Sequence, residues 1–315
     1  MSRYASIVAF LLAATAPTLA ADGGKPGSAG EEVAPSRFGQ KQEDAAFGAF
    51  QRGLYLTALN LAKPRAEAGD GQAQTLMAEI YSRGLGVRQD PAKAAELYGK
   101  AAEQGVPEAQ FQYALILLDG EHAKKDRERA FTLMRSAADA GNRFAQFNYA
   151  QMLVGREPGG EGLRKAVPYY ELAAGQGLAD AQYAMAQVHM NGVGGRRVNE
   201  AEARRWLEKA ALQNFDSAQV ELGTMLVQSG EGEAAEKLGY QWLKRAAESG
   251  NVAGQIRLAR LYRAGIGVER DPVEAGAWYI LARRAGLTDR QMDSFLYTLD
   301  PDQQKQALER ANRLR

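Results

Sequence analysis

The stretch AQTLMAEIYSRGLGVRQDPAKAAELYGKAAEQG, residues 73–105, decides the fold of this chain because its pattern recurs along most of the sequence. The opening Ala-Gln dipeptide returns at a spacing of 36 or 37 residues, at Ala109, Ala145, Ala181 and Ala218, with Gly254-Gln255 as an altered sixth copy. All three tryptophans occupy one position of this period: Trp206, Trp242 and Trp278. Self-similarity of this length is typical of a solenoid, in which each unit buries its apolar face against its neighbours.

Each unit is predicted to form two helices. Ala73, Met77 and Ile80 fall on one face at spacings of three and four residues, which indicates a first helix, named helix A. The loop at residues 84–87 ends it, since its glycines tolerate the positive φ of a helix terminus. Asp90-Pro91 starts a second helix, named helix B, because Asp caps free N–H groups and Pro suits the first helical position.

Several departures from the repeat carry their own predictions. Pro168 lies where other units are inside helix B, so we expect that helix to begin late, with Pro168 in its first turn. Pro64 is expected to kink or shorten the helix that contains it. Asp271 with Glu274 three residues later predicts a capping box. Residues 289–297 and 301–313 predict two C-terminal helices, the second capped by Asp300.

The N-terminal 21 residues have the pattern of a secretory signal. Arg3 gives a basic start, residues 7–14 are apolar, and Thr18-Leu19-Ala20 offers the small residues that a signal peptidase reads, so cleavage is expected near Ala20 or Ala21. The apolar stretch is too short to span a membrane. The expected location is therefore periplasmic or secreted, without stable membrane insertion after cleavage.

The remaining segments follow from composition and period. Residues 22–43 are rich in Gly, Pro, Ser, Ala and Glu and are predicted to be a disordered linker. Residues 44–69 should form a capping helical pair, residues 70–286 six repeats, and residues 287–315 C-terminal capping helices. The predicted class is all-α, an α-solenoid of stacked antiparallel helix pairs.

Composition argues against several kinds of function. Lys plus Arg number 39 against 38 for Asp plus Glu, so no overall charge favours nucleic acid. Cysteine is absent, which excludes disulfides, thiolate metal sites and thiol catalysis. His122 and His189 have no His or Cys nearby in sequence, and a structural role is expected for both. We predict no catalytic residue, no metal site and no cofactor.

The motifs Ala-x-x-x-Leu/Met-Ala-x-x-Tyr, Gly-x-Gly-Val-x-x-Asp and Ala-x-x-Trp-x-x-Lys-Ala-Ala-x-x-Gly resemble the Sel1-like repeat, a relative of the tetratricopeptide repeat. Residues 73–105 and 254–286 carry the resemblance most completely, whereas the third and fifth units lack the Asp cap. The resemblance implies a right-handed superhelix and an adaptor that binds proteins in signalling, secretion or quality control.

Alignment with tetratricopeptide repeats at the Leu-Ala-x-x-Tyr core places two helix A positions in a concave groove. The resulting candidate peptide-binding residues are Phe111, Leu115, Phe147, Gln151, Tyr183, Gln187 and Arg260. An exposed apolar strip of this kind marks recognition surfaces. The alternative is that these side chains pack against neighbouring A helices as core.

The function predicted from the sequence is a non-enzymatic scaffold that binds a protein or peptide, with regulation of an envelope signalling system as one role. The alternative is a cell-envelope enzyme or glycan-binding factor that acts on cell-wall polysaccharide. Aromatic side chains can stack on sugars, but hydrolysis needs paired carboxylates, and the groove positions are poor in acids.

Overall fold

The computed structural model of the protein describes residues 44–314, and every regular element within that range is an α-helix. The predicted signal segment (1–21), its cleavage site and the predicted linker (22–43) lie outside the described residues.

Sixteen helices make up the described part of the chain. Their bounds are α1 Ala45–Gln51, α2 Tyr55–Glu67, α3 Gly71–Arg83, α4 Pro91–Glu103, α5 Pro107–Asp119, α6 Arg127–Asp139, α7 Arg143–Arg156, α8 Gly160–Gly175, α9 Ala179–Asn191, α10 Glu200–Leu212, α11 Asp216–Gln228, α12 Glu233–Glu248, α13 Val252–Ala264, α14 Pro272–Arg284, α15 Arg290–Thr298 and α16 Pro301–Arg313.

The helices form two compact units that divide after Gln176. The first contains α1–α8, and the second contains α9–α16. Within the repeats of each unit a helix packs against its sequence neighbours, so that A helices (α3, α5, α7; α9, α11, α13) alternate with B helices (α4, α6, α8; α10, α12, α14). At the C-terminal end α16 packs mainly on α14 and not on α15. The predicted all-α solenoid of stacked helix pairs is confirmed.

Most of the predicted helix ends are found. Gly84 ends α3 with φ 65°, and the Asp90 carboxylate accepts the Lys93 N–H at 3.0 Å at the start of α4. The Asp300 side chain and Gln303 form a reciprocal capping box on α16. The box predicted for Asp271 and Glu274 is only half formed. Asp271 caps α14, but Glu274 reaches forward to the Trp278 indole N–H at 3.1 Å.

The expectation for Pro168 is wrong, because α8 begins eight residues before it. Leu163 and Val167 are buried in the added turns, and this burial offsets the interior hydrogen bond that Pro cannot make. Gly162 permits the arrangement, since a Cβ there would lie 2.2 Å from the Glu157 carbonyl oxygen. Pro64 lies inside α2, in its last turn, and this helix has the same 13-residue length as most of the A helices.

The glutamine of the Ala-Gln dipeptide joins four of the repeats to the preceding helix. Its buried amide donates to a carbonyl eight residues earlier, at the C-terminus of the preceding helix: Gln74 to Ala66, Gln110 to Ala102, Gln146 to Ala138 and Gln219 to Ala211. Such carbonyls lack partners within their own helix. The dipeptide is therefore a structural connection between repeats.

The tryptophans pack on clusters that join successive repeats. Trp206 and Trp242 are half-buried against a cluster containing Tyr183, Leu207 and Leu222. Trp278 is only 4% exposed and belongs to the core of the last repeat.

Candidate partner-binding surface

The A helices carry the predicted groove residues, and the structure divides these residues by burial. Phe111, Gln151 and Tyr183 are buried; Leu115, Phe147 and Gln187 are half-buried; Arg260 is exposed. Hence the buried members contribute packing more than contact area.

In the first unit the aromatic members pack on other rings. Phe111 stacks on Phe144 of the next A helix with ring centroids 6.0 Å apart. Phe147 packs on Tyr170 of its own repeat, with centroids 5.7 Å apart. Leu115 and Phe147 are each half-buried, so they form the apolar part of this surface that is accessible to a partner.

Gln151 occupies a position where another repeat forms a hydrogen bond. Glu79 in the equivalent position accepts the Tyr98 hydroxyl at 2.8 Å. In contrast, neither amide atom of Gln151 nor the hydroxyl of Tyr170 has a hydrogen-bond partner within residues 44–314. All three atoms are buried, so the interior of the third repeat contains polar groups whose hydrogen bonds are not satisfied.

Amides also surround a carboxylate in the first unit. Glu108, near the start of α5, accepts the Gln112 amide at 2.9 Å and the Asn142 amide at 2.9 Å. Asn142 is the N-cap of α7, so this cluster connects two successive A helices.

Two predicted residues of the second unit meet on a carboxylate that sequence reasoning missed. The Tyr183 hydroxyl donates to Glu221 at 2.7 Å, and the Gln187 amide donates to the other carboxylate oxygen at 2.5 Å. Burial raises the pKa of Glu221, while these two hydrogen bonds and Arg257 oppose the shift. The result is a polar cluster that connects α9 and α11.

Arg260, the remaining predicted residue, pairs with Asp289 just before α15. The Asp289 carboxylate also accepts the N–H groups of Gln291 and Met292 at the start of that helix. Burial on its own raises the pKa of Asp289, but Arg260 and the two N–H groups outweigh it, so the net shift is downward.

Glu221 and Arg257 share one position of the repeat, three residues after the leading residue. This position reads Leu76, Gln112, Asn148, Ala184, Glu221 and Arg257. It is polar in four of the six copies, and this pattern is the signal in the sequence that indicates partial exposure of Glu221 and Arg257.

The two histidines and the glycine loops lie in separate parts of the repeats. His122 lies in the α5–α6 loop, and half-buried His189 lies within α9. Gly192 and Gly265 end helices in the left-handed conformation, as turns do. Across residues 44–314 no cluster of His, Asp and Glu could hold a metal ion, and no helix there has the length and apolar character to cross a membrane.

Comparison with known proteins identifies the repeat. The Sel1 repeat matches residues 71–106, 107–142, 143–178, 179–215, 216–251 and 252–287. A solved Sel1 repeat protein from Oxalobacter formigenes is 30% identical, over 78% of this chain and 70% of that one, with a TM-score of 0.60.

A second solved structure is a protective antigen present in uropathogenic Escherichia coli strains, which displays an SLR fold. It is 27% identical over 82% of this chain, with a TM-score of 0.55, and the match spans 64% of that protein, slightly less than two thirds. No curated protein sequence matches the chain significantly.

Sel1 repeat proteins are generally non-catalytic scaffolds for protein interactions. Six successive matches cover more than half of this chain, and a solved member of the family is similar over most of its length. The chain therefore belongs to the Sel1 repeat family.

Proposed function

We propose that this protein is an exported, non-enzymatic scaffold that binds a protein or peptide on the surface of its A helices and thereby regulates an envelope signalling system. The observation that carries the proposal is the cluster of Tyr183, Gln187 and Glu221, in which side chains of two repeats hold one another in place. Groups that are fixed before binding lose little conformational entropy when a partner arrives.

The surface also offers the mixture of groups that protein interfaces use. Half-buried Leu115 and Phe147 supply apolar contact in the first unit. In the second unit, Gln187 and Arg260 supply hydrogen bonds and charge. Interfaces combine an apolar, aromatic-rich centre with a polar rim, and a few large side chains carry most of the binding energy.

Export is proposed on the basic, apolar and small-residue pattern of residues 1–21. N-terminal sequencing of the protein from cells should return a chain that begins at Ala21 or Asp22, since cleavage is expected after Ala20 or Ala21. A chain that begins at Met1 or Ser2 would place the protein in the cytoplasm, and the proposed role in envelope signalling would then be wrong.

The scaffold proposal is tested by crosslinking in intact cells followed by mass spectrometry. A reproducible protein partner is expected. Phe147→Ala should then weaken binding of that partner by about thirtyfold, which corresponds to roughly 2 kcal/mol.

Phe131→Ala is the matched control, because Phe131 is a half-buried phenylalanine of a B helix that packs on Tyr149 with centroids 5.1 Å apart. It should lower stability without changing affinity per folded molecule. If Phe147→Ala lowers the melting temperature as Phe131→Ala does and leaves affinity unchanged, Phe147 is core and not an anchor.

A second candidate function is binding or hydrolysis of cell-wall polysaccharide. Half-buried Glu221 would supply one of the two carboxyl groups that hydrolysis usually needs. A carboxyl whose pKa is raised by burial can serve as a general acid. Turnover of purified cell wall that disappears in Glu221→Gln would support this alternative. If the wild-type protein does not hydrolyse purified cell wall, the hydrolase alternative is excluded and the scaffold proposal stands.

A further inference from the structure

Arg257 is a half-buried cation with few partners. It lies on α13, and its guanidinium donates one long hydrogen bond, 3.3 Å, to the Ala253 carbonyl of its own helix. Within residues 44–314 it forms no ion pair. A guanidinium has five N–H donors in a fixed plane, so most of its hydrogen-bonding capacity is unused.

The other two arginines of this face are engaged. Arg260 pairs with Asp289, and Arg263 donates to the Gln291 carbonyl at 3.4 Å and lies over the Phe295 ring. Because Asp289 neutralises Arg260, Arg257 is the arginine of this face that lacks both an ion pair and a ring contact within the described residues.

The electrostatic environment of Arg257 is unfavourable to its charge. Burial lowers its pKa, Arg260 lowers it further, and Glu221 partly opposes both effects. Glu221 does not pair with it directly, since the carboxylate is already bound by Tyr183 and Gln187. An incoming anion that reached the guanidinium would relieve this cost.

We propose that Arg257 binds an acidic side chain, Asp or Glu, of a partner peptide that lies across the A helices of the second unit. This inference rests on the proposed scaffold function and specifies the chemistry of the partner. The planar guanidinium matches a carboxylate through two parallel hydrogen bonds.

The experiment uses an array of immobilised decapeptides with acetylated N-termini and amidated C-termini, so that side chains are the only carboxylates. Each peptide with Asp or Glu has a partner in which Asn or Gln replaces the acid. The full-length labelled protein should be retained by a set of acidic peptides and roughly tenfold less by their amide partners.

Arg257→Gln should lose the same tenfold and should no longer distinguish acid from amide. Arg257→Lys keeps the charge but not the planar fork, and an intermediate loss is expected. Arg270→Gln is the control, because Arg270 is an exposed arginine just before α14. Melting curves of all variants check that the fold is kept.

The outcomes separate this inference from the scaffold proposal. Retention of acidic and amide peptides alike, or equal retention by wild type and Arg257→Gln, overturns the role of Arg257 while the scaffold stands. Retention of no peptide also overturns it. If crosslinking in cells then yields no protein partner, the scaffold proposal fails as well.

Discussion

Gly223 of α11 and Gly239 of α12 meet where the two helices of the fifth repeat cross. A Cβ on Gly223 would lie 2.8 Å from the Gly239 carbonyl oxygen, and a Cβ on Gly239 would lie 2.7 Å from the Gly223 carbonyl oxygen. The other repeats have buried alanines in the position of Gly223: Ala78, Ala114, Ala150, Ala186 and Ala259. The fifth repeat thus brings its two backbones into direct contact.

Gly223→Ala is therefore expected to destabilise the protein by about 1–3 kcal/mol, since the added methyl would meet backbone that cannot move away easily. Gly155→Ala is the control, because Gly155 is helical and a Cβ there meets nothing within 4 Å. That change should be neutral or stabilising by up to about 1 kcal/mol. Chemical denaturation of both variants measures the two effects, and equal behaviour would refute the close contact.

Trp278→Ala should destabilise by about 3–5 kcal/mol, the usual cost of removing a large buried aromatic side chain. Trp278 is 4% exposed, whereas Trp242 is half-buried, so Trp242→Ala should cost clearly less. Because coupling in a solenoid is between neighbours, unfolding of Trp278→Ala should begin in the second unit. Hydrogen exchange followed by mass spectrometry would show where protection is lost, and uniform loss over both units would contradict this expectation.

Gln146→Leu should cost about 1–3 kcal/mol, because it removes two hydrogen bonds inside the first unit. The Gln146 amide donates to the Ala138 carbonyl at 3.2 Å, and its oxygen accepts the Gln176 amide at 2.9 Å. Gln228→Leu is the control, because it makes the same substitution at an exposed position at the end of α11. Thermal melts that do not separate the two variants would mean that the buried amide adds no stability.

Glu221 should make the protein less stable as the pH rises. Burial raises its pKa in the folded protein above the ordinary value of 4.5, so the folded state binds this proton more tightly than the unfolded state does. Stability therefore falls between the ordinary and the raised pKa and stays lower above that range. Urea titrations at several pH values measure the free energy of unfolding of the wild type and of Glu221→Gln. The wild-type value minus the variant value should fall as the pH rises through this range.

Asp289 supplies a control of opposite sign. Its pKa is lowered in the folded protein, where the hydrogen bonds from Arg260 and two N–H groups outweigh burial. The stability that it contributes is present above the ordinary carboxyl pKa and is lost as the pH falls. The difference in free energy of unfolding between wild type and Asp289→Asn should rise with pH, whereas the difference between wild type and Glu221→Gln should fall. If both differences changed with pH in the same direction, both assignments would be contradicted.

The repeat period is enough to predict the fold, because residues such as Gly84 and Asp90 end and start helices through local backbone preferences. The prediction for Pro168 is wrong for a tertiary reason. Its helix extends to Gly160 because Leu163 and Val167 are buried beneath it, and that burial depends on packing which the local pattern does not contain.

The candidate surface is less predictable than the fold. Tyr183 is predicted to be an aromatic anchor, yet its ring is buried and its hydroxyl holds Glu221, a residue of the next repeat. Arg257 is not among the predicted residues, since its lack of an ion pair depends on what the other charged side chains contact. Such properties arise between repeats and are not visible within one copy of the period.

The hydrogen bonds from the Ala-Gln glutamines have a consequence for how such a chain can change in evolution. The amides of Gln74, Gln110, Gln146 and Gln219 contact main-chain carbonyls, which every amino acid provides, so this hydrogen bond does not depend on the side chains of the preceding unit. A duplicated or transplanted unit would find the same acceptor at its new position. The number of units can thus grow or shrink while the residues on the outer faces diverge independently.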